Sequence, residues 1–237
     1  MGLKGPAGVS SSSRPTRAYA ILKRLEERYG RREKPGNWPE GWRIPPPPAP
    51  FQVLVATILS QNTSDRLSRK AYERLEAEIG VTPRRLALAP LEGIKRCIRT
   101  AGLHDQKARC IQEFSRALME GYGGRMEPIL TRPFHEARRT LTSFRGIGKK
   151  TADVVLLFCA GKPVIPLDTH VKLVSYRLGL APRGGYDTVR LALESQLDPP
   201  YYWDFHLLLI QLGRDCCRAR KPLCDRCPVL DLCDRRV

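Results

Sequence analysis

Four cysteines near the C-terminus, Cys217, Cys224, Cys227 and Cys233, follow the spacing C-x6-C-x2-C-x5-C, and no other feature restricts this chain's conformation as much. Thiolates this close in sequence can serve one centre only if the chain between them folds as a tight loop. The set is compact enough for one tetrahedral ion or one cubane, and ligand count alone leaves zinc and an iron–sulfur cluster open. Five of the eight cysteines fall between Cys216 and Cys233, a metal-site distribution and not a disulfide framework. Cys216, Cys97, Cys110 and Cys159 are left for packing.

Upstream of that cap the pattern is helical almost throughout, and sustained apolar–polar alternation is scarce, so the fold is expected to be all-α. A first amphipathic helix is predicted over roughly Thr16 to Tyr29, then a loop from Lys34 to Ala49 whose run Pro45 to Pro48 cannot continue a helix. Phe51 to Leu59 is apolar on nearly every face and reads as a core helix. Ser64 is suited to cap a helix reaching about Ile79, with Leu67, Ala71, Leu75 and Ile79 on one stripe, and Thr82-Pro83 starts another. Further helices are expected near Leu91 to Thr100, Gln106 to Glu120 and Pro133 to Thr142.

With 41 Lys and Arg against 24 Asp and Glu, the formal charge is +17, which favours polyanionic partners. Nucleic acid leads, although ribosomal, chromatin and peripheral membrane proteins share such a charge. No apolar run approaches the ~20 residues of a membrane span, and the N-terminus has no secretory core. Residues 1 to 25 contain no acid; a disordered basic tail fits them better than a transit peptide, because Gly and Pro spoil an amphipathic helix. An intracellular setting is expected.

Residues 141 to 158, LTSFRGIGKKTADVVLLF, read as helix, tight turn, helix. Gly146 and Gly148 give the turn its freedom, and Ile147 between them can plug the junction. The first amides of the second helix would then point outward at a phosphate, with Arg145, Lys149 and Lys150 adding charge. A glycine turn between packed helices is the plainer reading, and Gly-x-Gly alone does not exclude it. Downstream, VIPLDTHV places Asp168 before a helical stripe of Val171, Val174 and Leu178, where an aspartate commonly serves as an N-cap. A functional reading joins Asp168 to Lys150. An amine with a pKa near 10.4 is only about 0.04% neutral at pH 7, so a nucleophilic lysine needs burial, cationic neighbours or a base. A nearby carboxylate could take its proton and stabilise positive charge growing on a sugar ring.

GIGKKTADVV followed by VIPLDTHV closely resembles the helix-hairpin-helix and catalytic-aspartate motifs of the endonuclease III family of base-excision glycosylases. The resemblance runs from about Pro50 to Cys233 and implies that Lys150, not Lys149, is the Schiff-base nucleophile and Asp168 its carboxylate. It also implies that a residue at Asn62, shorter than the family's Gln, fills the space of an expelled nucleotide, that Leu103 wedges into the DNA stack, and that His170 contacts the groove. Arg145 departs from the usual proline before the hairpin glycine. On the same spacing the family carries a [4Fe–4S] cluster, which selects that cofactor over zinc, and basic Arg218, Arg220, Lys221 and Arg226 crowd the loop.

The resulting expectation is an all-α, two-domain helix-hairpin-helix glycosylase fold, with a helical barrel domain and an iron–sulfur cluster domain. Residues 1–17 form the tail, 43–162 the barrel, and 18–42 with 163–237 the discontinuous cluster domain. The activity implied is that of a bifunctional DNA glycosylase and abasic-site lyase acting on duplex DNA with damaged, oxidised pyrimidines or abasic sites, as a monomer without membrane contact, in the cytoplasm near the nucleoid if the source is prokaryotic. A mismatch glycosylase removing T or U opposite G is the nearest alternative, and a non-catalytic DNA-binding module with a zinc clip the more distant one.

Overall fold

A computed structural model describes residues 16–31 and 49–236. The expected basic tail lies outside the described residues up to residue 15, as do the proline run and the domain boundary at residues 42 and 43. The described residues form twelve α-helices and no strand: α1 (Arg17–Tyr29), α2 (Pro50–Leu59), α3 (Asp65–Glu78), α4 (Pro83–Leu88), α5 (Leu91–Ile98), α6 (His104–Tyr122), α7 (Glu127–Leu130), α8 (Phe134–Thr142), α9 (Lys149–Ala160), α10 (Thr169–Arg177), α11 (Tyr186–Glu194) and α12 (Tyr202–Asp215). None is long and apolar enough to cross a membrane.

The predicted caps Ser64 and Thr82 are in place, and Thr16, expected as the first helical residue, is a cap as well. Thr16, Ser64 and Thr82 each accept a first-turn amide, from Tyr19, Leu67 and Arg85 respectively, and Pro83 takes the first helical position, where no donor is lost. The predicted helix from Pro133 begins one residue later, since Pro133 is its N-cap. The short α7, between the glycine turn at Gly123-Gly124 and α8, was not foreseen, because a helix of four residues leaves no periodic trace.

α2 is buried from Val53 through Leu59, and each fully buried Leu or Ile there contributes on the order of 1.5–3 kcal/mol. It lies against α9, itself buried from Thr151 to Phe158, and α4 packs on α6 as α3 does on α5. Phe114 of α6 joins them, stacked on Phe51 of α2 and edge-on to Phe144 at 4.9 Å. These helices make one half of the molecule. In the other, α12 packs against α10 and α1, whose stripe Ala18, Ile21, Leu22 and Leu25 is fully buried. Phe158 of α9 meets Trp203 of α12 at 4.1 Å, so the halves share a continuous core.

Candidate active site and DNA-facing loops

The hairpin sets the first side of the site. After α8 the chain turns through Gly146, at φ 88°, into α9. A Cβ added there would lie 2.8 Å from Cys110 Sγ, so both the backbone and the close approach of α6 demand glycine. Ile147 is buried as the expected plug, while Arg145, Gly146, Gly148 and Lys149 are exposed. Gly148 caps α9 with no side chain, leaving the first-turn amides free to face an anion. The Lys149 ammonium is engaged by Asp187 of α11, so a phosphate reaching it competes with a carboxylate.

Lys150, one residue on, is only partly exposed, and its Nζ has no hydrogen bond or ion pair among the described residues. Burial lowers its pKa, while the carboxylates of Asp168 and Asp65 pull it upward. Asp168 is the N-cap of α10 and accepts the Val171 amide on Oδ1 at 2.7 Å. Capping and proximity to Lys150 therefore belong to the same side chain: the cap bond orients the carboxylate that the amine feels.

The segment leading to Asp168 is pinned at three successive residues. Ile165 N–H donates to Glu194 Oε1 at 2.9 Å, Pro166 O accepts from His206 Nδ1 at 2.9 Å, and Leu167 N–H donates to the Tyr186 hydroxyl at 3.1 Å. His206, fully enclosed on α12, is pushed down to about 4, first by burial, with Lys150 lowering and Asp168 raising it. It is neutral at physiological pH, and its bond to a carbonyl places the proton on Nδ1.

Sequence reasoning missed four of these residues. Asp65 stood only as the residue after a cap, His206 is hidden in the apolar run YWDFHLLLI, and nothing near Tyr186 or Glu194 announced a partner at residues 165–167. Asp65 also pairs with Arg214 of α12 at 2.5 Å, bridging the two halves beside Lys150.

Two loops flank the hairpin, each with a residue at left-handed φ: Asn62 at 51°, which asparagine tolerates well, and Leu103 at 47°, which is unusual for leucine. Leu103 is 50% exposed, one of the few large apolar side chains presented to solvent, as a wedge must be. Beneath both loops sits Lys107, 3% exposed, whose Nζ donates to Leu59 O at 2.9 Å, Gln61 O at 2.6 Å and Ala101 O at 2.9 Å. Its three donors are all satisfied, although burial pushes its pKa down to about 8. Gln61 Nε2 in turn donates to Gly146 O at 3.2 Å and Thr151 Oγ1 at 3.1 Å, tying this node to the hairpin. His170 is partly buried against α12, where a Cβ on Gly213 would come within 2.8 Å of its Nδ1.

At the C-terminus, Cys217, Cys224, Cys227 and Cys233 line a small cavity of about 30 Å³ together with Leu178, Leu212, Pro222 and Leu230. Four thiols on one cavity wall are the donor set that an iron–sulfur cluster takes. Donors are directed at the sulfurs: Arg235 N–H lies 3.3 Å from Cys233 Sγ, and Arg177 Nη1 lies 3.8 Å from Cys217 Sγ. Arg177 also donates to the carbonyls of Cys217, Arg218 and Ala219, which stitches the loop to the end of α10. Cys216, buried, shares the cavity wall, and Arg218, Arg220, Lys221 and Arg226 are exposed around it.

A glycine hairpin, a half-buried lysine near a capping aspartate and a loop of four cysteines place the chain among helix-hairpin-helix proteins with a metal-binding loop. Residues 55–199 match the HhH-GPD superfamily of base excision DNA repair proteins, and residues 217–233 the iron-sulfur binding domain of endonuclease III. Endonuclease III of Sulfolobus acidocaldarius is 36% identical over 185 residues, covering 77% of this chain and 81% of that one. For the Thermotoga maritima enzyme the values are 35%, 78% and 83%. The structure is similar to that of a trapped endonuclease III–DNA covalent intermediate, with a TM-score of 0.75 and 31% identity over 91% of this chain and 93% of that one. A thermostable thymine-DNA glycosylase, 23% identical with a TM-score of 0.70 over 92% and 96% of the two chains, shares the fold. The chain belongs to the endonuclease III family of the HhH-GPD superfamily, as a DNA glycosylase and abasic-site lyase of base excision repair carrying a [4Fe–4S] cluster.

Proposed function

We propose that this enzyme removes oxidised pyrimidines from duplex DNA with Lys150 as nucleophile and Asp168 as its carboxylate. The observation that carries the assignment is the burial-lowered, unpaired Lys150 amine beside the oriented Asp168 carboxylate, one residue past the exposed hairpin amides. DNA lies in the cleft between the two halves, its backbone held by the turn at Arg145 to Lys149, with Leu103 and Asn62 filling the stack vacated by the extruded nucleotide and His170 at the groove. Asp168 takes a proton from the amine and stabilises the positive charge on the sugar as the base departs. The Lys150 nitrogen bonds to the sugar carbon, the base leaves with its electron pair, ring opening gives a Schiff base, and loss of a proton from the adjacent carbon expels the 3′ phosphate. Cys217, Cys224, Cys227 and Cys233 would hold the cluster, which would brace the loop whose Arg218, Arg220, Lys221 and Arg226 face the DNA backbone. In this reading the protein acts as a monomer, in the cytoplasm near the nucleoid if its source is prokaryotic.

Borohydride trapping on duplexes bearing thymine glycol, dihydrouracil, uracil opposite G, thymine opposite G or an abasic site tests this reading. Covalent adducts are expected with the two oxidised or reduced pyrimidines and the abasic site. Lys150→Gln is expected to abolish them. An adduct persisting in that variant makes another amine the nucleophile, and base release confined to the mispairs overturns the lesion assignment.

A further inference from the structure

We infer that Tyr186 is a positioning residue that fixes Lys150 relative to Asp168 through a polar circuit linking α8, α9, α11 and the segment before α10; this rests on the catalytic roles assigned above. The Tyr186 hydroxyl accepts the Leu167 amide at 3.1 Å and donates to Asp153 Oδ2 at 2.9 Å, which uses its single hydrogen and an acceptor site. Each partner neighbours a catalytic residue. Leu167 immediately precedes Asp168, and Asp153 stands three residues beyond Lys150, on the same face of α9.

The circuit extends further. The Asp153 carboxylate, fully buried, is gripped at both oxygens by the Arg138 fork at 2.8 Å, and Arg138 Nη1 reaches Asp187 Oδ1 at 2.9 Å. The other oxygen of Asp187 holds Lys149, the residue before the nucleophile. Lys149, Asp187, Arg138, Asp153, Tyr186 and Leu167 thus form one chain of hydrogen bonds from the neighbour of Lys150 to the neighbour of Asp168. The inner part of this network is stiff, because moving Arg138 or Tyr186 leaves the buried Asp153 carboxylate short of a partner. Both hydrogen bonds of Tyr186 go to neighbours of the catalytic pair and neither to the pair itself, so its influence is geometric.

Tyr186→Phe removes only the hydroxyl and keeps the ring, which also faces the Arg138 guanidinium at 5.5 Å. In the cluster-loaded variant, single-turnover base release and borohydride trapping on a lesion duplex are expected to slow roughly tenfold or more, since small misplacements of reacting groups are costly. DNA affinity and visible cluster absorbance are expected to be unchanged, a split that a general loss of folding would not give. Asp187→Asn, at the partly exposed end of the circuit, is expected to slow the same step without weakening DNA binding. Wild-type single-turnover rates in Tyr186→Phe, or in Asp187→Asn should the first variant fail to fold, overturn the positioning role. Lys150→Gln serves as the control: trapping that survives it overturns the catalytic assignment, whereas a dead Lys150→Gln beside a fully active Tyr186→Phe overturns this inference alone.

Discussion

Gly146 offers a perturbation whose size follows from the geometry. An alanine there must hold φ near 88°, a left-handed value that costs an L-residue ~1–2 kcal/mol. Its Cβ would also sit 2.8 Å from Cys110 Sγ and 3.0 Å from Cys110 Cβ, an overpacking of the hairpin against α6 that adds ~1–3 kcal/mol. Gly146→Ala is therefore expected to destabilise the protein by about 2–5 kcal/mol, or roughly 4–20 °C in Tm for a chain of this size.

The two contributions separate in a double-mutant cycle. Cys110→Ala removes the sulfur but leaves the Cβ at 3.0 Å, so it relieves part of the clash and none of the backbone strain. On the Gly146→Ala background it is expected to restore about 1–2 kcal/mol beyond its own effect. Denaturant unfolding of the four proteins measures this coupling, and titration of an abasic duplex reads the consequence for the hairpin amides. Strict additivity would show that the chain yields at the turn and not against α6, and an unchanged stability in Gly146→Ala would refute the strain argument altogether.

Lys107→Met keeps the length of the side chain and strips three carbonyls of their donor, so the Asn62 and Leu103 loops lose their common anchor. Lyase activity on duplex abasic DNA is expected to fall roughly tenfold or more while activity on single-stranded abasic DNA, which needs no stack filling, is retained; equal losses on both would show that the node serves folding only. Asp65→Asn tests the electrostatics of Lys150: the carboxylate raises the amine's pKa, so removing it, and freeing the Arg214 cation, lowers that pKa further. More of the amine is then neutral at a given pH, and the acid limb of the trapping profile is expected to move to lower pH; a shift to higher pH would make Asp65 a base instead of an electrostatic neighbour.

What was legible in the sequence is what local chemistry writes locally. Ser64 and Thr82 mark helix starts because a cap acts within three residues, and the Gly146 turn is visible because its backbone tolerates no ordinary side chain. Asp168 is instructive, since it is the cap that the plain reading expects and its carboxylate also raises the pKa of Lys150: a carboxylate that must be held still is well placed at a helix N-terminus. The cysteine spacing is legible for the same reason of proximity, although only the resemblance, and not the ligand count, chose the cluster over zinc.

The residues that escaped notice act across long separations. His206 reaches Pro166 from forty residues away, and Tyr186 joins Asp153 to Leu167 from a different helix altogether. No periodicity or short motif encodes such bonds. They emerge when the segment 164–168 is laid between α9, α11 and α12 and each of its backbone groups must find a partner, which buried peptide groups almost always do. That demand explains why the carboxylate side of the site is built from polar side chains embedded in apolar helices. An aspartate on a loop, left to water, would wander by more than its chemistry tolerates. Pinning Ile165, Pro166 and Leu167 in succession converts that loop into a fixed rail, and the position of Asp168 becomes a property of the whole second half of the fold.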